Sequence, residues 1–260
     1  MTYTSPRRPQ LFYTTAPMPC PYVAGRMERK VVTDIGGPDA ERLHNRLSRA
    51  GFRRSHTIAY APVCPSCSAC VPIRVPVASF APDRTQRRTL RRNATIEGFE
   101  VPAHATTEQF TLFQRYQFAR HAEGDMAAMN FYDYRAMIED TPIDTMMIEF
   151  RTPEDRLVCV SLIDRLDDGL SAVYSFFDPT MDARSLGSYA IMHLIAHTRR
   201  LGLPYLYLGY WIRDSAKMAY KARFQPAEIL FHGAWTPLDR DRLPEEGDRG
   251  PARFPASLTE

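Results

Sequence analysis

No stretch of this chain stays apolar long enough to cross a bilayer, and its N-terminus lacks the layout of a secretory leader. A cytoplasmic protein with no membrane partner is expected. Charge of one sign is also scarce in excess: 33 Lys plus Arg against 30 Asp plus Glu leave a formal +3. With that balance, a nucleic-acid partner requires positive charge gathered in one place. Five cysteines, an odd number with three in one short run, argue against a disulfide framework and leave thiols or a metal site. No internal repeat of solenoid period is present. What remains is an ordinary globular composition whose 260 residues suffice for one large or two small domains.

Four regions are expected: a loose arm over 1–12, a Cys-containing basic region over 13–105, a main domain over 106–235, and a disordered tail over 236–260 rich in Pro, Gly and charge. A helix is expected over Asp39–Ala50, with Pro38 before it and Gly51 after. Phe52–Tyr60 has strand character. Pro72 and Pro76 make Val71–Val77 an edge strand, and 95–105 reads as a polar connector. Thr106 or Thr107 caps a helix to about His121, and a second helix spans 132–138. Asp144–Arg151, Arg156–Leu166 and Gly169–Asp178 follow as an antiparallel meander. A helix from about Arg184 to Leu201 leads to a strand, Tyr205–Ile212, parallel to the third meander strand. Asp214 or Ser215 caps a short helix to Phe224, and 226–235 is a last strand.

Three patterns carry chemistry. Cys64, Cys67 and Cys70 have the spacing of a thiolate chelate loop that Cys20 would complete; the alternative is a thiol-lined turn without metal. Arg84, Arg87, Arg88, Arg91 and Arg92 share one helix face. Five guanidiniums there repel unless neutralised, which suits phosphate, although a solvated surface helix fits the same pattern. After the Tyr205 strand, Lys217 with Lys221 and Tyr220 with Phe224 give a cationic and an aromatic face, for an anionic substrate or simply for solvent and core.

The order of elements looks like the fold of the GCN5-related N-acetyltransferases, an α+β class with a mixed sheet in which two parallel strands splay around an acyl donor. Arg184-x-x-Gly187-x-Tyr189 stands where that superfamily has its coenzyme A loop, with a ring that would crowd a pyrophosphate in place of the last glycine. Closer still, Cys20-Pro-Tyr22, Arg53-Arg54-Ser-His-x-x-x-Tyr60 and the Cys64–Cys70 cluster resemble the N-terminal region of the arginyl-tRNA–protein transferase family. Tyr174-Ser-Phe-Phe-Asp178-Pro179, Ser185-Leu-Gly187 and Tyr207-Leu-Gly209-Tyr210-Trp211 through Lys217-Met-x-Tyr220-Lys221 resemble its C-terminal region. The short length is similar to the bacterial branch, which moves leucine from leucyl-tRNA onto proteins beginning with Asp or Glu and so marks them for N-degron degradation.

The resemblance implies aminolysis of an ester, with aminoacyl-tRNA as co-substrate and no cofactor required. A metal or iron–sulfur cluster at Cys20, Cys64, Cys67 and Cys70 is a candidate addition from eukaryotic relatives, whose spacing differs. Asp178 is the first candidate for proton acceptor, against a strand-end turn; Tyr174, Tyr210 and Tyr220 are candidate donors to the oxyanion, against packing on the sheet. Lys217 and Lys221, with Arg184, Ser185 and Gly187 at a helix N-terminus, are expected to hold substrate. Arg53, Arg54 and Arg223 are candidates for the acceptor's carboxylate, and the arginine face for the tRNA backbone. Two alternatives stay open: arginine as the donated residue, and coenzyme A-dependent acetyl transfer.

Overall fold

A computed structural model describes residues 9–239. Most of the expected arm and tail lie outside these residues. The first part builds a small antiparallel sheet. β1 (Tyr13–Thr14), β2 (Met18–Pro19), β3 (Met27–Glu28) and β4 (Lys30–Asp34) precede α1 (Ala40–Arg49), and β5 (Arg53–Ser55) and β6 (Ile58–Pro62) follow it. The sheet order is β1-β4-β6-β5, while β2 and β3 pair as a separate hairpin. Leu47 of α1 is fully buried on Val31, Ile35, Phe52 and Ala59, which ties the helix to the sheet. The stretch 52–60 is a hairpin rather than one strand: His56 turns the chain at φ 51°.

The rest is β7 (Val71–Pro76), α2 (Arg84–Arg92), β8 (Glu97–Pro102), α3 (Thr107–Arg120), α4 (Phe131–Glu139), β9 (Thr145–Arg151), β10 (Leu157–Leu166), β11 (Gly169–Phe177), α5 (Leu186–Arg200), β12 (Tyr205–Trp211), β13 (Glu228–Phe231) and β14 (Ala234–Pro237). Its strands form one mixed sheet in the order β14-β13-β7-β12-β11-β10-β9-β8, and only β11 and β12 run parallel. α2, α3 and α4 each begin with a reciprocal capping box, Asp83 with Gln86, Thr106 with Gln109 and Asn130 with Asp133. Alternate residues of β9 feed two cores. Ile148 and Phe150 pack with Tyr189 and Ile195 of α5. Met147 packs with Phe113 of α3 and with Tyr134 and Ile138 of α4. The sheet is therefore covered on both faces, an α+β arrangement of the expected class. No helix among the described residues is long and apolar enough to cross a membrane.

Several elements differ from expectation. β7 lies inside the sheet despite its prolines, because β13 pairs with it only at Ile73 and Arg74, between Pro72 and Pro76. The stretch 95–105 contains β8, the edge strand beside β9. The last strand is a hairpin, β13–β14, which extends to Pro237. No α-helix spans 214–224. Turns closing on Ser215 lead to a 3-10 turn over Ala219–Arg223. An α-helix would keep both lysines on one face; the tighter turn sends Lys221 inward and leaves Lys217 exposed.

Candidate active site between the splayed strands

β11 and β12 pair at only three positions, from Gly169–Tyr205 to Ser171–Tyr207, and then part. Backbone groups facing the gap need other partners. Arg53, reaching across from β5, serves two of the carbonyls. Its Nη1 donates to Ser171 Oγ at 2.9 Å, and its Nη2 donates to the carbonyls of Ala172 and Val173. On the β12 side the guanidinium rests against Gly209, where a Cβ would stand 2.9 Å from Nε. Gly209 also has φ 76°, at an irregularity in the β12–β7 register. Glycine alone meets both requirements cheaply. The recorded partners of Arg53 are all neutral oxygens, and it is half-buried. The apex of the cleft thus holds a cation.

On the β12 side, Tyr210 is buried, with its hydroxyl 2.9 Å from the Gly51 carbonyl and 3.2 Å from that of Tyr60. That hydroxyl is committed to backbone, so Tyr210 anchors β12 to the small sheet and is no oxyanion donor. Its own carbonyl accepts from Lys221 Nζ at 2.8 Å. Burial first, and then the charge of Arg53, lower the Lys221 pKa to about 7. Tyr220 is half-buried; burial and the neighbouring Tyr116 raise its phenol to about 12, so it stays protonated.

On the β11 side, Asp178 is completely buried. Oδ1 accepts from Thr180 N at 3.0 Å, Thr180 Oγ1 at 2.7 Å and Arg115 Nη2 at 2.9 Å, and Oδ2 accepts from Arg156. Burial by itself would raise its pKa; the Thr180 donors and the two guanidiniums reverse this and hold it below the ordinary value. A proton acceptor must be reachable and poised near neutral pH. Asp178 is neither, and it caps the 3-10 turn Pro179–Arg184 instead. Tyr174 fits the donor role better. It accepts from Gln117 Nε2 at 2.6 Å, which leaves its own proton for another acceptor. Gly187 lies under Phe177, whose ring a Cβ would meet at 3.1 Å, so it serves packing. Ser185 is exposed in the left-handed region at φ 53°. The Tyr189 ring turns into the core and donates to the Ile96 carbonyl at 2.6 Å, away from the helix mouth it was expected to crowd.

α2 spans the splayed ends. Near its start, Gln86 Nε2 donates to the Arg223 carbonyl at 3.0 Å, in the turn after β12. At its end, Asn93 Nδ2 donates to the Arg184 carbonyl at 2.8 Å, in the turn after β11, and Arg184 Nη1 donates back to Arg92 O at 3.1 Å. Gln86, Thr89 and Asn93 face inward; Arg84, Arg87, Arg88, Arg91 and Arg92 are all exposed, as is Arg223. Arg54 leaves the substrate set. It is buried in a two-pronged pair with Asp164, at 2.8 and 2.7 Å, so no acceptor carboxylate reaches it.

Two segments of the chain match one family: residues 18–88 the N terminus, and residues 108–231 the C terminus, of arginine-tRNA-protein transferase. The chain belongs to this family. Its relatives include proteins named aspartate/glutamate leucyltransferase. One from Granulibacter bethesdensis is 64% identical, covering 97% of this chain and 94% of that protein. Others, from Paramagnetospirillum magneticum and Rhodospirillum rubrum, are each 56% identical, over 88% and 91% of this chain and 94% and 97% of theirs. Among solved structures, FemX overlays at TM-score 0.43 and 9% identity, covering 75% of this chain and 67% of that one.

Cys20, Cys64, Cys67 and Cys70 converge on one cavity of about 820 Å³ whose lining includes Tyr210. Burial first, then the three other thiols, push the Cys70 pKa up to about 12. A metal needs thiolates pointing at a shared centre. Among the described residues no group of three or more His, Cys, Asp or Glu is arranged to hold one, and Cys64 Sγ accepts from Arg29 N at 3.4 Å instead. Residues that the sequence pattern did not single out are Arg115, Tyr116, Gln117, His121 and Arg156. Those on α3 were hidden by an aromatic stripe that reads as core. Arg156 immediately precedes β10 and carried no signal.

Proposed function

We propose that this chain transfers the leucyl group of leucyl-tRNA to the α-amine of proteins that begin with Asp or Glu. The observation that carries this reading is the bridge made by α2, which holds five exposed arginines across the ends of two diverging strands. An RNA gripped there would present its 3′ end to the cleft. Its relatives' name supplies the donor and acceptor residues.

The acceptor's amine has a pKa of about 8, so roughly a tenth is neutral at pH 7. Its nitrogen attacks the ester carbonyl carbon. A carbon–nitrogen bond forms, the ester bond to the terminal ribose breaks, and the amine proton passes in the end to the ribose oxygen. The ester is already activated, so the reaction calls mainly for placement. Arg53, half-buried and paired with no carboxylate among the described residues, suits the side chain of an N-terminal Asp or Glu. Tyr174 and Tyr220 are protonated donors at the cleft walls for the developing oxyanion. Lys217, Arg223 and the turn carrying Arg184 and Ser185 extend the cationic rim of α2 to the RNA's last phosphates. The added leucine would then mark the protein for N-degron degradation.

The test offers an Asp-initiated peptide to the protein with leucyl-tRNA, arginyl-tRNA or acetyl-coenzyme A, each labelled in the acyl group. Mass spectrometry should show leucine added at the N-terminus. Arginine addition would overturn the donor assignment, and acetyl addition alone would overturn the aminoacyl transfer.

A further inference from the structure

His121 follows the last turn of α3, where its backbone N–H closes on the Gln117 carbonyl at 2.7 Å. Its neighbours link it to both splayed strands. On one side it meets the Tyr116 ring edge-on at 5.4 Å, and Tyr116 in turn meets Phe177, the last residue of β11, at 4.9 Å. On the other side Lys217, in the turn after β12, is near enough for its charge to act on the imidazole. Tyr220 stands close to Tyr116 and Arg53, so the ring belongs to the same wall as the candidate oxyanion donors. The side chain is half-buried and reachable. Among the described residues neither ring nitrogen has a recorded hydrogen-bond partner.

We propose that His121 is the proton shuttle of the transfer, taking the proton from the attacking amine and delivering it to the departing ribose oxygen. This rests on the aminoacyl-transfer reading above, for either donor residue. The step balances. As the carbon–nitrogen bond forms, the ammonium of the tetrahedral adduct gives its proton to the free imidazole nitrogen. As the ester carbon–oxygen bond breaks, the imidazolium protonates the 3′ oxygen and is neutral again.

The surroundings suit both halves of that cycle. Partial burial first, then Lys217 and Arg120, hold the imidazole pKa below its ordinary value. The groups facing it are Tyr116 and Arg120 from its own helix and Lys217 from the turn after β12, and Arg120 is itself paired with Asp182. The ring is therefore neutral and able to accept at pH 7. Once charged it is flanked by cations, which makes it a ready donor to the alkoxide.

His121→Gln and His121→Asn test this, in kinetics with leucyl-tRNA and an Asp-initiated peptide. A fall in kcat of about 10²–10⁴-fold is expected, with both KM values and tRNA binding within about threefold and an unchanged melting temperature. The acidic limb of the parent's pH–kcat profile, below pH 6.5, should vanish in both variants. In Lys217→Ala that limb should move up in pH, because removing a neighbouring cation favours the imidazolium. A kcat within threefold of the parent, or an acidic limb retained in His121→Gln, overturns the proposal. If the parent uses only arginyl-tRNA, the same kinetics run on that donor, and the shuttle stands or falls independently of the donor's identity.

Discussion

Arg53 is the residue on which acceptor choice is expected to turn. Its partners are a hydroxyl and two carbonyls, none of which cancels its charge. A carboxylate meeting that guanidinium gains a charged hydrogen bond worth about 1.5–3 kcal/mol. Arg53→Ala is accordingly expected to raise KM for an Asp-initiated peptide by roughly 10–100-fold. It should also abolish the parent's preference for that peptide over an Asn-initiated one. Steady-state kinetics on the two peptides check this, and a preserved Asp-over-Asn preference would move acceptor recognition elsewhere, with exposed Arg223 next in line.

The helix α2 carries the second expectation. Its inward face, Gln86, Thr89 and Asn93, and its capping box hold it in place without help from Arg88 or Arg91. Arg88→Ala with Arg91→Ala should thus leave the fold intact while removing two phosphate contacts. The slope of log binding constant against log salt for leucyl-tRNA should flatten by about 1.5–2 units, with little change in acceptor KM. Filter binding across a salt series reads this directly; an unchanged slope would mean that the RNA lies on another face. α2 also shows what the sequence makes legible. Its caps and its arginine face are local features, set by residues three, four and seven apart. The three-strand meander and the parallel Tyr205 strand were legible for the same reason, through alternation and turn residues. What local pattern could not reveal depends on distant partners. Pro72 and Pro76 suggest an edge, and only the shortness of β13 lets them sit inside the sheet. Asp178-Pro179 fits a reactive carboxylate or a turn equally until Arg115 and Arg156 arrive from other elements. Arg53 and Arg54 are adjacent letters, yet one enters the cleft and the other a buried ion pair.

Across the whole molecule, a buried ion pair helps to join the two sheets. Arg54 pairs with Asp164 of β10, whose Oδ2 also lies 3.6 Å from His44 of α1. His44 is kept neutral there, its pKa lowered to about 4 by burial above all; burial does the same to His193 on α5. Unfolded imidazoles take up protons near pH 6.5, while these wait until about 4, so the unfolded state binds more protons in that interval. The contribution of these two histidines to stability is complete above pH 6.5 and is lost as pH falls from there toward 4. A melting temperature lower at pH 5 than at pH 7.5 by on the order of 5 °C is expected. Scanning calorimetry at the two values decides it, and equal temperatures would show that the histidines are less enclosed than described.

The pairing of β7 with β12 has an effect on how the chain is made. β7 leaves the ribosome early, with the small sheet, and β12 only after the whole meander and α5 have been synthesised. Until then both edges of β7 lack their neighbours, and Arg53 has no cleft to fill. β7 must wait, exposed, for its partners from the other end of the polypeptide. A nascent chain stalled before Tyr205 would therefore be a natural client for a chaperone.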